Sequence, residues 1–212
     1  MPGSHLNTRA CLANCRSSAI HQQVEEQGTE DAPLGDTIGN SPGRGGVAID
    51  PRMRLEVQEK VIKEVYHACQ INGVLLEGTL LKPSMTVPGA ESSTKSDPQQ
   101  VAEMTIRTME RSVPASVPGI VFLSGGLSEE AASIYLNLMN SIERKAKWNV
   151  SFSYGRALQH SCLKAWRGTD LAAGQKALLA RAQANSEASK GNYVAGSQPS
   201  SDEALFVAGY TY

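Results

Sequence analysis

Residues Val74 to Lys82 read VLLEGTLLK. The run is short and almost continuously apolar, which predicts a strand buried on both faces, the kind that parallel sheets use. Asn72-Gly73 separates it from the preceding segment, and Pro83, with no N–H to donate, ends its ladder. Upstream, Asp50-Pro51 supplies an N-cap and a proline at the first helical position. Val57, Val61, Ile62, Val65 and Cys69 then recur at helical spacing, so 51–71 is predicted as an amphipathic helix.

The same unit repeats twice downstream. A polar loop containing Gly89 and SSTKS leads to Asp97-Pro98, which opens a second helix running to about Arg111, with Gln100 as the capping-box partner. Pro114 and Pro118 bracket a loop before a second apolar strand, Gly119 to Leu123. Ser124-Gly125-Gly126 turns the chain. Ser128 caps a third helix, with Glu129 and Glu130 in its first turn where the dipole favours them. Ala131, Ile134, Tyr135, Leu138 and Ile142 form its expected buried stripe. Trp148 to Tyr154 is a third strand, and Gly155-Arg156 leads into a helix through Leu158, Leu163 and Trp166. An Ala- and Leu-rich helix over about 174–190 comes next.

Helices alternating with buried strands predict an α/β fold with right-handed crossovers. Repeats of this length, without a G-x-G-x-x-G after any strand, suit a (β/α)8 TIM barrel better than a dinucleotide-binding sheet. A whole barrel takes about 250 residues and eight strands. The expectation is therefore a partial barrel: the C-terminal three or so βα units, preceded by an irregular leader.

Composition narrows the function. The chain has 212 residues, with 20 basic against 21 acidic and a net charge of -1. That balance, with few aromatics, argues against a nucleic-acid binder. No apolar run approaches the ~18 residues of a membrane span. Cys11, Cys15, Cys69 and Cys162 show neither disulfide-rich nor zinc-ligand spacing, which reads as free thiols in a reducing compartment. His5 and His21 lie in the leader, and His67 and His160 are expected on solvent-facing helix positions. No histidine has a ligand-spaced companion, so no metal site is predicted.

Two domains are expected, an unmatched low-complexity leader over 1–48 and a barrel domain over 49–212. The leader carries Arg9 and Arg16, and no acid before Glu25. It is read as unstructured, against the alternatives of an organelle transit peptide and a mis-joined N-terminus.

Barrel chemistry sits at the C-terminal ends of the strands. Here those ends are Lys82, Ser124-Gly125-Gly126, and Ser153 to Arg156. An amine closing an apolar run would be partly desolvated and freed to attack a carbonyl. The bland alternative is a lysine that snorkels to water. Ser124-Gly125-Gly126 either cradles an anion with its N–H groups ahead of a helix N-terminus or is an ordinary turn. Arg156 could fork onto the same anion. Glu77, inside the first strand, is expected to be buried and hydrogen-bonded in a structural role, against the alternative of a catalytic one.

From VLLEGTLLKPSM onward the sequence resembles class I fructose-bisphosphate aldolase. The match continues through VPGIVFLSGGLSEEAAS, WNVSFSYGRALQHSCLKAWRG and ALLARAQANSEASKGNY, and ends at GYTY. It covers about 49–212, and LLKPSM and the tail are similar to the plant and algal branch. The resemblance implies that Lys82 is the Schiff-base lysine. It implies that Ser124, Gly125 and Gly126 form the substrate-phosphate loop, with Ser153, Gly155 and Arg156 as the second half of that site. Tyr212 corresponds to the C-terminal tyrosine that assists proton transfer. The implied reaction is reversible cleavage of fructose 1,6-bisphosphate to dihydroxyacetone phosphate and glyceraldehyde 3-phosphate in glycolysis and gluconeogenesis. It needs no cofactor and no metal beyond the lysine adduct. A homotetramer is implied; the cytoplasm is the default location, since the leader is not a clean transit peptide, with the plastid stroma as the alternative.

The resemblance also has a gap. Where the family carries Glu-Pro-Glu on a strand before the first helix, this chain has Gly43-Arg44-Gly45-Gly46-Val47-Ala48, without a carboxylate. No counterpart of the family's N-terminal site residues is found in 1–48. The strands left behind would have an open apolar edge. Two functional readings result: an aldolase-type lyase, or a non-enzymatic truncated isoform that associates with full-length aldolase subunits. A third, another Schiff-base barrel enzyme such as a transaldolase, fits the Ser-Gly-Gly and Tyr-Gly-Arg motifs poorly.

Overall fold

The structure is a computed structural model that describes residues 51–88 and 97–206. The leader, Asp50, the loop containing Gly89, and Tyr212 lie outside the described residues. Helix α1 spans Pro51–Ile71, α2 Pro98–Ser112, α3 Glu129–Ser141, α4 Arg156–Trp166 and α5 Leu171–Ala188. Strands β1 (Leu80–Leu81), β2 (Gly119–Phe122) and β3 (Asn149–Phe152) form one parallel sheet in the order β1-β2-β3. Sequential parallel strands, each leading into a helix, are consecutive units of a partial (β/α) barrel.

Three of the helices start on a side-chain cap. Asp97 accepts the Gln99 N–H at 3.3 Å to start α2, and the Gln99 side chain donates to Glu103 one turn further on at 2.7 Å. Ser128 accepts the Ala131 N–H at 3.1 Å to start α3, and Asp170 accepts from Ala173 at 2.9 Å to start α5. These side chains fill donors that the first turn leaves open.

The core lies between the sheet and the helices. Ile120, Phe122 and Val150 share a sheet face and are buried with Ala102, Met109, Ala132, Leu136 and Met139. Val121, on the opposite face by the two-residue period, is only half-buried. Aromatic groups tie strand ends to the helix layer: Trp148 donates to the Pro114 carbonyl at 3.1 Å and Tyr154 to the Ala132 carbonyl at 3.0 Å. Burial pushes the Tyr154 phenol well up from its ordinary value.

Three expectations are corrected. The strand predicted over 74–82 is two residues long; Leu76–Gly78 forms a 3-10 turn and Glu77 is exposed rather than buried and paired. Among the described residues β1 has a neighbour on one side only, and Leu75 and Leu80 are 68% and 63% exposed. A strand with one ladder and one uncovered face has little to hold it extended. The buried stripe of α3 is Ala132, Tyr135, Leu136 and Met139; Ala131, Ile134, Leu138 and Ile142 sit only partly buried at its margin. Helix α5 is rotated against its composition. Its buried residues are Gly174, Arg181, Ala184, Asn185 and Ala188, while Leu171 and Leu179 are exposed.

Polar burial on α5 has a purpose in the fold. Arg181, fully buried, donates to the Glu129 carbonyl at 2.8 Å and to the Ser133 hydroxyl at 2.6 Å, and Ser133 donates to Asn185 at 2.7 Å. Beyond α5 the tail runs back along α3. Tyr193 and Ser200 donate to the Glu130 carboxylate at 2.9 and 2.7 Å, and the Gly196 N–H does so at 2.8 Å. Partial burial works against the charged Glu130. The donors Ser200, Gly196 and Tyr193, with Arg181 beside them, outweigh it and hold its carboxyl below the usual range.

Two outcomes are expected. Met139→Ala, which opens a cavity beneath the sheet, should cost about 2–5 kcal/mol in denaturant unfolding, and Leu179→Ala, on the surface, should change stability by less than about 0.5 kcal/mol. Glu130 has a lowered folded pKa, so its contribution is complete above the ordinary carboxylate pKa of about 4.3 and is lost as pH falls through the lowered value. The melting-temperature gap between wild type and Glu130→Gln should therefore be widest at neutral pH and shrink steadily in acid.

Candidate active site

Parallel pairing puts the C-terminal ends of all three strands on one rim. Beyond the strands proper, the Leu123 N–H donates to the Pro83 carbonyl at 3.0 Å and the Ser153 N–H to the Phe122 carbonyl at 2.9 Å. Lys82, Ser124 and Ser153 therefore lie next to residues joined across the sheet. Of the candidate residues read from sequence, Lys82, Ser124 and Ser153 are brought to one edge by the backbone pairing of the sheet.

The segment on its C-terminal side holds Lys82 in place. Pro83 to Val87 is buried, and Gln58 of α1 donates to the Ser84 carbonyl at 2.7 Å while accepting from the Thr86 hydroxyl at 2.7 Å. The Thr86 N–H donates to Thr105 of α2 at 2.9 Å, and Arg54 donates to the Val87 carbonyl at 2.8 Å. Side chains of two helices thus anchor the backbone next to the lysine. Lys82 itself is exposed, which corrects the expectation of a desolvated amine. It shares a face with Leu80, and among the described residues that face has no cover.

The Ser124-Gly125-Gly126 turn is closed by the Leu127 N–H on the Ser124 carbonyl at 3.1 Å, and Ser124 is buried. Gly125 takes φ of 55°, a conformation that disfavours a side chain. Gly126 is needed for a different reason. A Cβ there would sit 2.9 Å from both Cα and Cβ of Phe206. The tail lies directly on this turn, and the Leu205 N–H donates to the Gly126 carbonyl at 3.0 Å.

Gly155 caps α4 through its carbonyl, which accepts from Leu158 at 3.0 Å and Gln159 at 3.1 Å. Arg156, the first residue of α4, turns back to the neighbouring loop: it donates to the Gly125 carbonyl at 3.1 Å and to the Leu205 carbonyl at 2.5 Å. The guanidinium and the glycine turn are therefore in direct contact. Ser153 and Gly155 are exposed on the same connection. Tyr212, also predicted for this site, lies outside the described residues.

Sequence reading misses the groups that support these turns. It assigns Glu129 to the helix dipole, yet Glu129 is fully buried and accepts hydrogen bonds from Ser161 and Ser201. Arg181 carries a weak signal: it stands among small residues, with Gly174 and Ala188 seven positions to either side. His67 is exposed as expected, whereas His160 is half-buried beside Glu203 at 3.3 Å. Among the described residues no group of three or more His, Cys, Asp or Glu could hold a metal ion, and no helix is long and apolar enough to cross a membrane.

Comparison with known proteins agrees with this geometry. The sequence model of a family described as "Fructose-bisphosphate aldolase class-I" matches residues 49–212. A cytoplasmic fructose-bisphosphate aldolase isozyme of Spinacia oleracea is 51% identical over 160 residues, covering 74% of this chain and 44% of that protein. Fructose-bisphosphate aldolase 3, chloroplastic, of Arabidopsis thaliana is 51% identical over 161 residues, covering 74% and 41%. A crystal structure of the Plasmodium falciparum aldolase, solved with TRAP and a small-molecule inhibitor, superposes with a TM-score of 0.68 at 46% identity, covering 71% of this chain and 44% of that one. The chain spans less than half the length of these relatives. With the family model matched over 49–212, this chain belongs to the class I fructose-bisphosphate aldolase family.

Proposed function

We propose that the chain acts as a Schiff-base lyase on a sugar bisphosphate, cleaving fructose 1,6-bisphosphate reversibly into dihydroxyacetone phosphate and glyceraldehyde 3-phosphate. One observation carries the reading: the Arg156 guanidinium reaches the Gly125 carbonyl at 3.1 Å, on the rim where β1 ends at Lys82. A guanidinium beside a glycine turn that precedes a helix suits a phosphate dianion.

The chemistry then divides among this chain's residues. Gly125, Gly126 and Arg156 take the phosphate, with Ser124, Ser153 and Gly155 shaping the two turns. The Lys82 amine, once deprotonated, adds to the ketone carbonyl, and water leaves. The resulting iminium accepts the electron pair of the breaking carbon–carbon bond while the neighbouring hydroxyl gives its proton to solvent and departs as the aldehyde, which is the role of covalent amine catalysis. Tyr212 returns a proton to the dihydroxyacetone phosphate carbon, and water then adds to the iminium, releasing the ketone and the free Lys82 amine. No metal is needed for this route. The amine works better behind a wall that excludes water. In a closed barrel the strand beyond β1 supplies that wall.

A second reading is favoured by the exposed leucines at β1: a truncated, non-enzymatic chain that associates with full-length aldolase subunits. Absence of activity alone, with co-purification of a full-length subunit, would support it. Relatives include cytoplasmic and chloroplastic isozymes. The reading adopted is a cytoplasmic homo-oligomer, tetrameric as in the family, with the plastid stroma as the alternative.

Borohydride reduction in the presence of dihydroxyacetone phosphate should leave a covalent adduct that peptide mass spectrometry places on Lys82, and Lys82→Ala should leave none. Failure to label under conditions that label a full-length aldolase would rule out the enzymatic reading.

A further inference from the structure

The two anion-facing turns are joined by a single carboxylate. Glu129 opens α3, the helix next after the Ser124-Gly125-Gly126 turn. Its side chain is fully buried. One carboxylate oxygen accepts the Ser161 backbone N–H at 2.9 Å; the other accepts the Ser161 hydroxyl at 2.5 Å and the Ser201 N–H at 3.0 Å. Ser161 lies in α4, the helix that Arg156 begins. Ser201 lies in the tail, four residues before Leu205, which touches both Gly126 and Arg156. Three segments that reach the same rim therefore meet on one group.

A charged carboxylate survives full burial only where its acceptor positions are filled. Three donors from two different segments also fix where it sits. Because α3 and α4 begin next to the two turns, holding Glu129 against Ser161 sets the distance between the glycine N–H groups and the guanidinium. A dianion gripped from both sides is sensitive to displacements of about 0.5 Å. Arg181, bound to the Glu129 carbonyl at 2.8 Å, fixes the backbone of the same residue from behind.

We propose that Glu129 is a positioning residue for phosphate binding: its buried carboxylate locks α3 to α4 and so sets the spacing between the Ser124–Gly126 turn and Arg156. The proposal rests on reading those residues as the phosphate grip. It assigns Glu129 no contact with substrate.

The test uses the full chain and inorganic phosphate, monitored by NMR at the Gly125 and Gly126 amides and the Arg156 side chain. Wild type should show saturable shifts. Glu129→Gln keeps one acceptor oxygen but turns an amide N–H2 toward donors, and should weaken phosphate binding roughly ten-fold, the scale of a lost hydrogen bond to a charged group. Ser161→Ala, a milder change, should weaken it by a smaller factor. Ile106→Ala, in the core on α2, destabilises the chain without touching either turn and should leave phosphate affinity unchanged. A folded Glu129→Gln that binds phosphate like wild type would overturn the proposal, as would an equal loss in Ile106→Ala. Should Glu129→Gln not fold, wild-type affinity in Ser161→Ala would overturn it. No saturable response in wild type would instead remove the phosphate grip itself, a failure visible before any variant is made.

Discussion

Two parallel ladders carry the arrangement on which the site depends. Leu80 and Leu81 pair with Gly119 and Ile120, and Gly119 to Phe122 pair with Asn149 to Phe152. Parallel strands point the same way, so the residues at their C-terminal ends emerge on a shared edge. The lysine, the glycine turn and the arginine are distant in the chain, and no attraction among them is needed to assemble them. The backbone register does it, and the helices stabilise that register by burying Ile120, Phe122 and Val150, at about 1.5–3 kcal/mol for each large apolar side chain.

The support is uneven across the sheet. β2 has a neighbour on each side and helices against one face, and its Ile120 and Phe122 are fully buried. β1 has a ladder on one side, and the residues before it leave the extended conformation for a 3-10 turn. The lysine stands at this weaker margin. Its backbone is secured through the Pro83 carbonyl, Gln58 and Thr105, all acting on the segment after it rather than on the strand itself. The glycine turn after β2 and the turn into α4 are held more firmly, where α3, α4 and the tail are cross-linked by buried polar groups.

Those polar groups show how carboxylates one residue apart can differ. Glu129 and Glu130 are adjacent at the start of α3, and both suit the helix dipole. The turn of the helix sends Glu129 inward to Ser161 and Ser201, and Glu130 toward the returning tail at Tyr193, Gly196 and Ser200. One joins helix to helix; the other holds the tail along α3. Arg181 serves both, donating to the backbone of one and lying 3.9 Å from the carboxylate of the other.

Much of this is legible from sequence. The spacing predicts helix α1 over 51–71 and it forms over Pro51–Ile71, and the caps at Asp97 and Ser128 act as capping residues. Caps, prolines and periodicity are local, so a local reading finds them. The polar types at the strand ends are equally visible, because Lys82, Gly125 and Arg156 each interrupt or close an apolar run. Burial is not local. VLLEGTLLK has the composition of a buried strand, but an extended segment stays extended only with partners on its edges and faces, and here most of it lacks them. Helix α5 carries leucines, but its buried side is the one whose Arg181 and Asn185 meet donors and acceptors on α3. Residue order by itself determined where the helices start and which chemistry stands at the strand ends. The tertiary structure alone decided which faces are covered and that Glu129 points inward, because solvation depends on neighbours from elsewhere in the chain.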